Sequence, residues 1–353
     1  MTSPLYQGFT LPERALWKNT GLLFDKFCNV WTQKGEKWSI GNEKVKWLSN
    51  FAGTAGEANI IKSMVSRVQL LVEELGGKII FARSTERFIT GTGNTNPMEN
   101  GFTFHPILGT PYLPGSSLKG LVRSWMLSNL LDGKQLIEDV FGTSTADSDG
   151  RAGNIIFFDA LPVRPVHLAV DVMTPHYPEY YQNQKPPGDW QSPLPIPFLT
   201  VDSEQTFMFA IAPIDNKVEL LDRVEAHLIS ALDEWGAGAK TATGYGRFIL
   251  DAAATERYRL GAQTRRAEKK RQQELKSMSS LRKEMIQDGY DGDQFITKID
   301  SWLDKAETAN VKDQLEIAEA LQDWYNKFRP GTLQKPNNKN RERVNRLLQL
   351  LKG

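Results

Sequence analysis

The chain has 353 residues, of which 40% are hydrophobic and 24% are charged, values that are ordinary for a soluble folded protein of more than one domain. No apolar run approaches the ~20 residues that cross a bilayer, and the N-terminus lacks a basic segment followed by an apolar one, so we expect a cytoplasmic protein with no membrane partner. A single cysteine, Cys28, excludes an internal disulfide framework. The formal net charge of +1 means that any contact with nucleic acid must be local.

The basic residues are concentrated near the C-terminus. Residues 253–353 carry 21 basic and 15 acidic side chains, whereas residues 1–252 carry 22 and 27. We therefore predict three parts: an N-terminal helical segment over residues 1–76 that packs on the core, a central domain over 77–252, and a charged helical appendage over 253–353.

The predicted elements of the core begin with a helix, in which apolar residues from Ile61 to Leu75 recur at helical spacing until Gly76 and Gly77 end it. β-branched and aromatic residues then predict strands. These strands are KIIFARSTERFIT (78–90), AGNIIFFDALPV (152–163), HLAVDVM (167–173), EQTFMFAIAP (204–213) and YGRFIL (245–250). Helices are predicted at 116–130 and 218–235. The order predicts an α+β fold with a ferredoxin-like (RRM-like) antiparallel sheet and two covering helices.

Beyond Asp251 the apolar positions predict four helices of a small appendage. Their apolar positions are grouped from Leu275 to Met285, from Phe295 to Leu303, from Leu315 to Phe328 and from Val344 to Leu351. The segment RPGTLQKPNNKN (329–340) is predicted to link the last two.

The stretch GTPYLPGSSLKGLVRSW (109–125) leads from a proline-rich run into a helix. Ser116 or Ser117 suits the helix cap, and Lys119 and Arg123 lie at i and i+4 on one face. A helix start offers free N–H groups and a partial positive charge, so the stretch predicts a phosphate site. The alternative is a capped surface helix with two solvated cations.

The stretch WGAGAKTATGYGRF (235–248) places two pairs of glycines around Lys240. It is not a P-loop, because Ala239 precedes the lysine and the loop runs from a helix to a strand. Lys240, Arg247 and exposed N–H groups would instead attract a polynucleotide backbone, which glycines allow to approach closely. A glycine cap followed by a connecting loop is the alternative.

Metal and catalytic motifs are weak. One cysteine and four histidines show no ligand pairing, so we expect no metal and no other cofactor. His176 could act as a general base in RNA cleavage, although an ordinary loop histidine is the simpler interpretation. The proline-rich residues 174–198 hold Tyr180, Tyr181 and Trp190, which either stack on bases or pack the loop itself.

Four motifs in this order resemble the RAMP superfamily of CRISPR proteins. They are PYLPGSSLKGLVRSW, AGNIIFFDA, VDVMTPHYPEYY and WGAGAKTATGYGRF, and the third is most similar to members of type III-B (Cmr) effector complexes. The resemblance covers about residues 57–250. It implies a non-catalytic subunit that binds the 3′-proximal part of a CRISPR guide RNA and helps to position target RNA in antiviral defence. It also implies three protein partners: the repeated backbone subunit, the terminal RAMP subunit and the small helical subunit.

The resemblance assigns the following residues to RNA binding: Ser116, Ser117, Lys119, Arg123, His176, Gly236, Gly238, Lys240, Thr241, Gly244, Tyr245 and Arg247. It further implies that loop 174–198 reaches across the guide as a thumb. Two alternatives stay open: a guide-processing endoribonuclease with His176 or His105 as base, and a subunit that is mainly a scaffold. The appendage departs from a minimal family member, which leaves open a contact with neighbouring subunits, with the 3′ end of the RNA, or a fused accessory module.

Overall fold

The computed structural model describes residues 10–35, 37–40, 43–131, 133–143, 150–190, 192–193, 195–214, 218–338 and 340–352. The chain divides into two compact units, Met1–Leu260 and Gly261–Gly353. The boundaries at 76/77 and 252/253 stay predictions.

The strands of the first unit form three antiparallel sheets. In chain order they are β1 (Thr32–Lys34), β2 (Lys37–Ser39), β3 (Gly53–Ala55), β4 (Lys78–Ser84), β5 (Ile155–Phe157), β6 (Leu161–Pro162), β7 (Val166–Met173), β8 (Ile196–Val201), β9 (Thr206–Pro213) and β10 (Phe248–Leu250). The main sheet has the order β10-β4-β9-β5, with β6 also paired to β9. A second sheet has the order β3-β7-β8, and β1 pairs with β2.

The helices of the two units are, in chain order, α1 (Thr20–Lys26), α2 (Lys44–Phe51), α3 (Ala58–Glu74), α4 (Gly115–Asn129), α5 (Lys134–Phe141), α6 (Pro178–Tyr181), α7 (Glu219–Glu234), α8 (Ala252–Ser277), α9 (Ser280–Gln287), α10 (Ile299–Thr308), α11 (Val311–Phe328) and α12 (Arg341–Leu350). Helices and antiparallel sheets in one chain confirm the α+β class. The predicted end of α3 is also correct, because Gly76 follows it with a φ of +68°.

Both faces of the main sheet are buried. Ile80, Phe207 and Phe209 point to one face, where they share a core with α4 and α7. Ile79 and Met208 alternate with them and point to the other face, which α3 covers. A ligand of this sheet must therefore contact its edges and loops and not the strands' side chains.

The sequence did not predict which sheet each strand joins. The predicted strand 152–163 is interrupted, so that β5 and β6 pair separately with β9. The strand predicted at 167–173 is β7 and belongs to the second sheet. Its partner β8 begins at Ile196, inside the predicted loop 174–198, so the loop itself is 174–195. Alternation of apolar and polar residues identifies a half-buried strand, but the order of strands in a sheet depends on contacts between residues that are distant in sequence.

The first turns of α8 pack on the main sheet of the first unit. The buried Thr255 hydroxyl accepts a hydrogen bond from the Phe81 N–H at 3.0 Å. Tyr258 donates to the Glu73 carboxylate at 2.7 Å, with its ring edge against Phe81. These contacts belong to the core that α3 covers.

The second unit has its own core, formed by α9 to α12 around Trp302, Trp324 and Tyr325. The helix predicted across Leu275–Met285 is broken, since Ser279 caps α9 by accepting a hydrogen bond from the Arg282 N–H. A serine that can bond its own backbone favours such a break.

Candidate nucleic-acid interface

Helix α4 starts earlier than its serines predicted. Pro114 is the N-cap residue, and Ser116 and Ser117 lie exposed in the first turn without capping it. The cap comes from another segment, because the Asp159 carboxylate accepts a hydrogen bond from the Gly115 N–H at 2.7 Å. The predicted serine cap is therefore wrong.

The carboxylate of Asp159 changes the anion chemistry of this helix start. It already uses the first N–H group, and its negative charge opposes a second anion at that atom. A Cβ at Gly115 would lie 2.2 Å from the Phe157 carbonyl oxygen, which explains the glycine. A phosphate near α4 must therefore be held by its exposed side chains.

The polar side chains of α4 point in two directions, and Lys119 is half-buried whereas Arg123 is exposed. Successive residues of an α-helix are rotated by about 100°, so Lys119 and Arg123 point more than ~100° away from Ser117. Ser117, Gly120 and Ser124 share the face that meets the glycine-rich loop (residues 236–246). The four residues predicted as one helix-start site are thus divided between two faces.

A groove of about 270 Å³ separates α4 from the glycine-rich loop. Its polar and glycine lining consists of Ser117, Gly120, Ser124, Gly236, Gly238 and Thr241, and its apolar floor includes Leu113 and Leu118. Two motifs about 120 residues apart in sequence therefore form one site. Lys119 and Arg123 lie outside its lining.

The glycine-rich loop is fixed by the protein's own backbone. The Ala237 N–H donates a hydrogen bond to the Gly246 carbonyl oxygen at 2.8 Å. The Ala239 N–H donates to the Ile89 carbonyl oxygen at 2.7 Å, and the Gly246 N–H donates to the Arg87 carbonyl oxygen at 2.9 Å. The expectation that the N–H groups of this loop are exposed is thus wrong for these three.

Three of the loop glycines are required by close backbone approaches. Gly236, Gly238 and Gly246 have φ of +77°, +102° and +79°, and a Cβ on each would lie 2.6, 2.2 and 2.1 Å from a carbonyl oxygen. Gly244 differs, because it has a φ of +97° but open space around its Cβ position. Gly244 lines a second cavity and not the groove beside α4.

Lys240 has an unusual backbone conformation, with a φ of +60° and a ψ of +30°. A non-glycine residue in this region costs about 1 kcal/mol, so the fold holds it there. Its Nζ lies 3.2 Å from the Met173 sulfur, at the end of β7 where loop 174–195 begins. A thioether is a weak acceptor, which leaves the ammonium charge largely uncompensated.

The cations near the groove differ in their partners. Within the described residues, no carboxylate forms an ion pair with Lys119, Arg123 or Lys240. Arg247, by contrast, donates to the Asp233 carbonyl at 3.1 Å and so binds the end of α7. Three of the four predicted cations are therefore available to an anion.

Tyr245 attaches the glycine-rich loop to β7. Its hydroxyl donates to the Asp171 carboxylate at 2.9 Å, and Arg87 donates to the same oxygen at 3.1 Å. Burial and the hydrogen bond to Asp171 raise the pKa of Tyr245 to about 12. Burial alone would raise the pKa of Asp171, but the hydrogen bonds from Val172, Tyr245 and Arg87 lower it overall.

This network was missed from the sequence, where Tyr245 was assigned to RNA. Tyr245 lines a second cavity of about 580 Å³, together with Glu86, Asp171 and Asp202. Three carboxylates outnumber the two arginines, Arg87 and Arg247, in the lining of this cavity, whereas no carboxylate lines the groove beside α4, so the groove is the better site for a phosphate. No local sequence motif indicates this network, because Arg87, Asp171 and Tyr245 are brought together only by the fold.

Loop 174–195 connects paired residues of β7 and β8 and carries exposed aromatic side chains. Tyr180, Tyr181 and Trp190 are 49%, 69% and 71% exposed. His176 is exposed as well, with its ring 6.4 Å from that of Tyr177. Most of the aromatic surface is therefore not used to pack the loop.

His105 closes a turn before α4. Its Nδ1 accepts hydrogen bonds from the N–H groups of Ile107 and Leu108 at 3.2 and 3.3 Å. Burial lowers the pKa of His105. Among the described residues there is no group of three metal-ligating side chains, and no described helix is long and apolar enough to span a membrane.

Comparison with known proteins shows what the region that contains the groove is similar to. The family model of the RAMP superfamily matches residues 83–249. The resemblance to the RAMP superfamily is confirmed. The matched RAMP region includes α4, β7 and the glycine-rich loop.

Two curated relatives of the chain are named as Cmr subunit Cmr6 of a CRISPR system. That of Pyrococcus furiosus is 28% identical, in a match that covers 47% of this chain and 66% of the relative. That of Saccharolobus solfataricus is 32% identical over 43% of this chain and 49% of the relative. The chain thus matches slightly less than two thirds of one relative and about half of the other.

Two solved structures are similar to part of this chain. One is a chain of the type III-B Cmr-beta complex bound to cognate target RNA, with 27% identity, a TM-score of 0.49, and coverage of 59% of this chain and 70% of that chain. Another is Cmr6 from Pyrococcus furiosus, with 26% identity, a TM-score of 0.32, and coverage of 49% and 97%.

Proposed function

We propose that this chain is a non-catalytic backbone subunit of a cytoplasmic type III-B CRISPR ribonucleoprotein. It binds the 3′-proximal part of the guide RNA and helps to position target RNA, in contact with other Cmr subunits. The observation that carries the proposal is the groove in which the α4 motif and the glycine-rich loop face each other. Similarity to proteins named Cmr6 supports the choice of complex.

The arrangement of the main sheet supports an RRM-like, ferredoxin-like core with an unusual RNA site. The order β10-β4-β9-β5, with α4 and α7 on one face, is the order expected of a split βαβ fold. An RRM stacks bases on its open sheet face, but α3 covers that face here. The RNA must then lie along the helix–loop groove.

The groove suits an RNA backbone better than bases. Hydroxyls of Ser117, Ser124 and Thr241 line it and can donate to phosphate oxygens, while no aromatic side chain lines it. Lys240 stands at the loop side, and Lys119 and Arg123 stand on the next face of α4. Such contacts hold a strand without identifying its sequence.

The test uses the single variants Lys119→Ala, Arg123→Ala and Lys240→Ala, each expressed with the partner subunits and two unrelated guides. Each should lower guide retention several-fold and equally for both guides, and should flatten the salt dependence by about 0.7 in log–log slope per lost contact. The measurement is the amount of guide RNA per purified complex as salt rises.

Lys62→Ala is the matched control, since Lys62 is an exposed cation on α3. A loss confined to one guide, or a loss no larger than that of the control, contradicts binding of the RNA backbone by α4 and the glycine-rich loop. Complexes that fail to assemble while guide binding persists would indicate a scaffold subunit instead.

The proposal that the subunit is non-catalytic has a separate test. The position of His105, whose Nδ1 already accepts two N–H groups, supports a structural role. Purified protein incubated with repeat RNA in EDTA should leave the RNA intact. Cleavage that His176→Ala or His105→Ala abolishes would establish a guide-processing endoribonuclease.

A further inference from the structure

The second cavity, which Tyr245 lines, lies outside the groove in which we place the guide RNA. Gly236 and Thr241 line the groove, whereas Thr243 and Gly244, farther along the same loop, line the cavity. Its volume of about 580 Å³ falls within the range of about 300–1,000 Å³ that is usual for ligand sites, so it has room for a whole side chain. The carboxylate cavity is defined by its charged and phenolic residues, Glu86, Arg87, Asp171, Asp202, Tyr245 and Arg247.

The walls of the carboxylate cavity come from segments that are distant in sequence and are joined by backbone hydrogen bonds. The Thr85 N–H donates to the Arg247 carbonyl oxygen at 2.9 Å, and the Asp202 N–H donates to the His167 carbonyl oxygen at 2.9 Å. The shape of the cavity is therefore set by contacts within the protein. A rigid site loses little conformational entropy on binding, which favours its use as a docking site.

The charges of the carboxylate cavity are not balanced within the protein. Arg87 is held between two carboxylates, because its Nη1 donates to Asp171 at 3.1 Å and its Nε donates to Asp202 at 3.3 Å. Glu86 is exposed and forms no ion pair in the part of the chain that the structure describes. Three carboxylates and two guanidinium groups give the lining a formal net charge of −1.

Two of the three carboxylates have oxygen atoms left to accept hydrogen bonds. Asp171 uses both of its oxygens within the protein. Asp202 accepts at Oδ1, but among the described residues its Oδ2 accepts no hydrogen bond and lies 3.5 Å from the His167 Nδ1. The Glu86 carboxylate is exposed to solvent. The carboxylate cavity therefore suits a ligand with several N–H donors and a positive charge.

We propose that the carboxylate cavity is the docking site for an arginine side chain of a protein partner, one of the other Cmr subunits. The inference rests on the proposed function only for the source of that partner. A guanidinium has five N–H donors in a planar fork that matches carboxylates, and it is less strongly hydrated than an ammonium, so it enters a partly enclosed site more easily. Arginine is also enriched in protein interfaces, whereas lysine is depleted.

The composition of the main body supports a basic partner. Residues 1–252 carry 22 basic and 27 acidic side chains, so the body that contains the carboxylate cavity is mildly acidic. Opposite charge on the two surfaces of an interface increases the rate of association and selects the partner. The net charge of the cavity and that of the body around it thus favour the same class of ligand.

The lining disfavours two other classes of ligand. An RNA strand would bring phosphates beside a lining of net negative charge. Tyr245, the aromatic residue of the lining, is half-buried with its hydroxyl bound to Asp171, which leaves little ring surface for base stacking. Sites for small molecules are lined mostly by apolar side chains, whereas charged and polar residues line this cavity.

The test uses the full chain, tagged and expressed with the other Cmr subunits and a guide RNA, as wild type, Glu86→Gln and Glu86→Lys. Because Glu86 is exposed and forms no ion pair among the described residues, both variants should keep the wild-type melting temperature. Glu86→Gln should lower the retention of one partner subunit several-fold. Glu86→Lys, which places a like charge beside the arginine, should lower it by about tenfold or more. The measurement is the amount of each subunit per tagged chain.

Glu256→Lys is the matched control, because Glu256 is an exposed carboxylate of α8 in the first unit and forms no ion pair among the described residues. Its partner retention should equal that of the wild type. An equal loss in the control and in Glu86→Lys, or no loss in Glu86→Lys, would overturn the docking site. A wild type that retains no Cmr subunit contradicts the proposed function itself, so the two failures are distinguishable.

Photo-crosslinking identifies what occupies the cavity in the assembled complex. With p-benzoylphenylalanine in place of Thr243, an exposed residue of the lining, irradiation should join this chain to one partner subunit beside an arginine. Replacing that arginine by glutamate should lower retention by the wild type and restore it in Glu86→Lys. A crosslink to RNA, a crosslink to a protein segment without arginine, or no crosslink at all would each contradict the proposal.

Discussion

The two loops that meet near Lys240 are built in opposite ways. The glycine-rich loop is held by backbone hydrogen bonds to Arg87 and Ile89, and a side chain at most of its glycines would collide with the protein. Loop 174–195 has exposed aromatic side chains and a short helix. The first loop is fixed by contacts within the protein, whereas the second leaves much of its aromatic surface exposed.

The difference shows two ways to limit the entropy cost of binding. The glycine-rich loop is ordered by backbone hydrogen bonds, with positive φ values that its glycines adopt without strain and that Lys240 adopts at a cost. In loop 174–195 the prolines restrict the backbone, which also lowers the ordering cost on binding. Substitutions should therefore affect stability in the first loop and RNA geometry in the second.

The largest effect is expected from Gly246→Ala. Its Cβ would lie 2.1 Å from the Ala237 carbonyl oxygen at a φ of +79°, so the backbone pair between these residues must separate. We expect a loss of about 3 kcal/mol in the free energy of unfolding and loss of guide retention. Urea denaturation of the full chain, monitored with a probe in the first unit, measures the loss in the free energy of unfolding.

Gly244→Ala provides the control for that prediction. Gly244 has a φ of +97° but no atom within 4 Å of its Cβ position, so only conformational strain of about 1 kcal/mol is expected. Equal losses in the two variants would show that the close backbone approach contributes nothing.

A smaller effect is expected from Tyr245→Phe, which removes the hydrogen bond to Asp171. The free energy of unfolding should fall by about 1 kcal/mol at neutral pH, because one hydrogen bond to a carboxylate is lost at a partly exposed site. The stabilising effect of Tyr245 should also depend on pH. Its ordinary pKa of 10.0 is raised to about 12, so the folded protein keeps a proton that the unfolded chain loses.

The advantage of the wild type over Tyr245→Phe should therefore be constant below pH 10 and decline between pH 10 and 12. Urea denaturation at four pH values in this range measures the decline. Tyr181→Phe, in the exposed loop, is the control and should leave stability unchanged. A wild-type advantage that is equally large at pH 8 and pH 11.5 would contradict the assignment.

Local patterns predicted the elements better than their arrangement. The apolar period of α3, with Gly76 after it, is a local pattern and was predicted correctly. The cap of α4 comes from Asp159, 44 residues away from Gly115, and no rule about neighbouring residues contains it. The assignment of β7 to a second sheet depended in the same way on distant pairing.

The candidate site shows the same limit at the level of single residues. Ser117 and the loop glycines were brought together, but helical rotation separates Lys119 and Arg123 from them. The resemblance assigned Tyr245 to RNA binding, which stays a prediction, and its hydrogen bond to Asp171 shows that it also holds the loop. Sequence motifs identify which residues are near the site, and the distances in the structure show which contacts each one makes.

The smallest effect on stability, and the most specific on RNA, is expected from loop 174–195. The resemblance implies that this loop is a thumb that interrupts pairing between guide and target. Inserting it between nucleotides costs a few kcal/mol of base stacking, which an apolar or aromatic side chain must replace. Tyr180, Tyr181 and Trp190 expose enough ring surface to do so. Replacing residues 176–193 by a Gly-Ser linker should leave folding and guide retention unchanged, because none of the residues in this range that the structure describes lines the groove or belongs to the core. Chemical probing of the guide–target duplex should show one reactive, unpaired nucleotide with the wild type that becomes protected with the shortened loop. Single replacements of the three aromatics by alanine should then identify which ring substitutes for the lost stacking. If wild type and shortened loop give the same reactivity pattern, the loop does not enter the duplex.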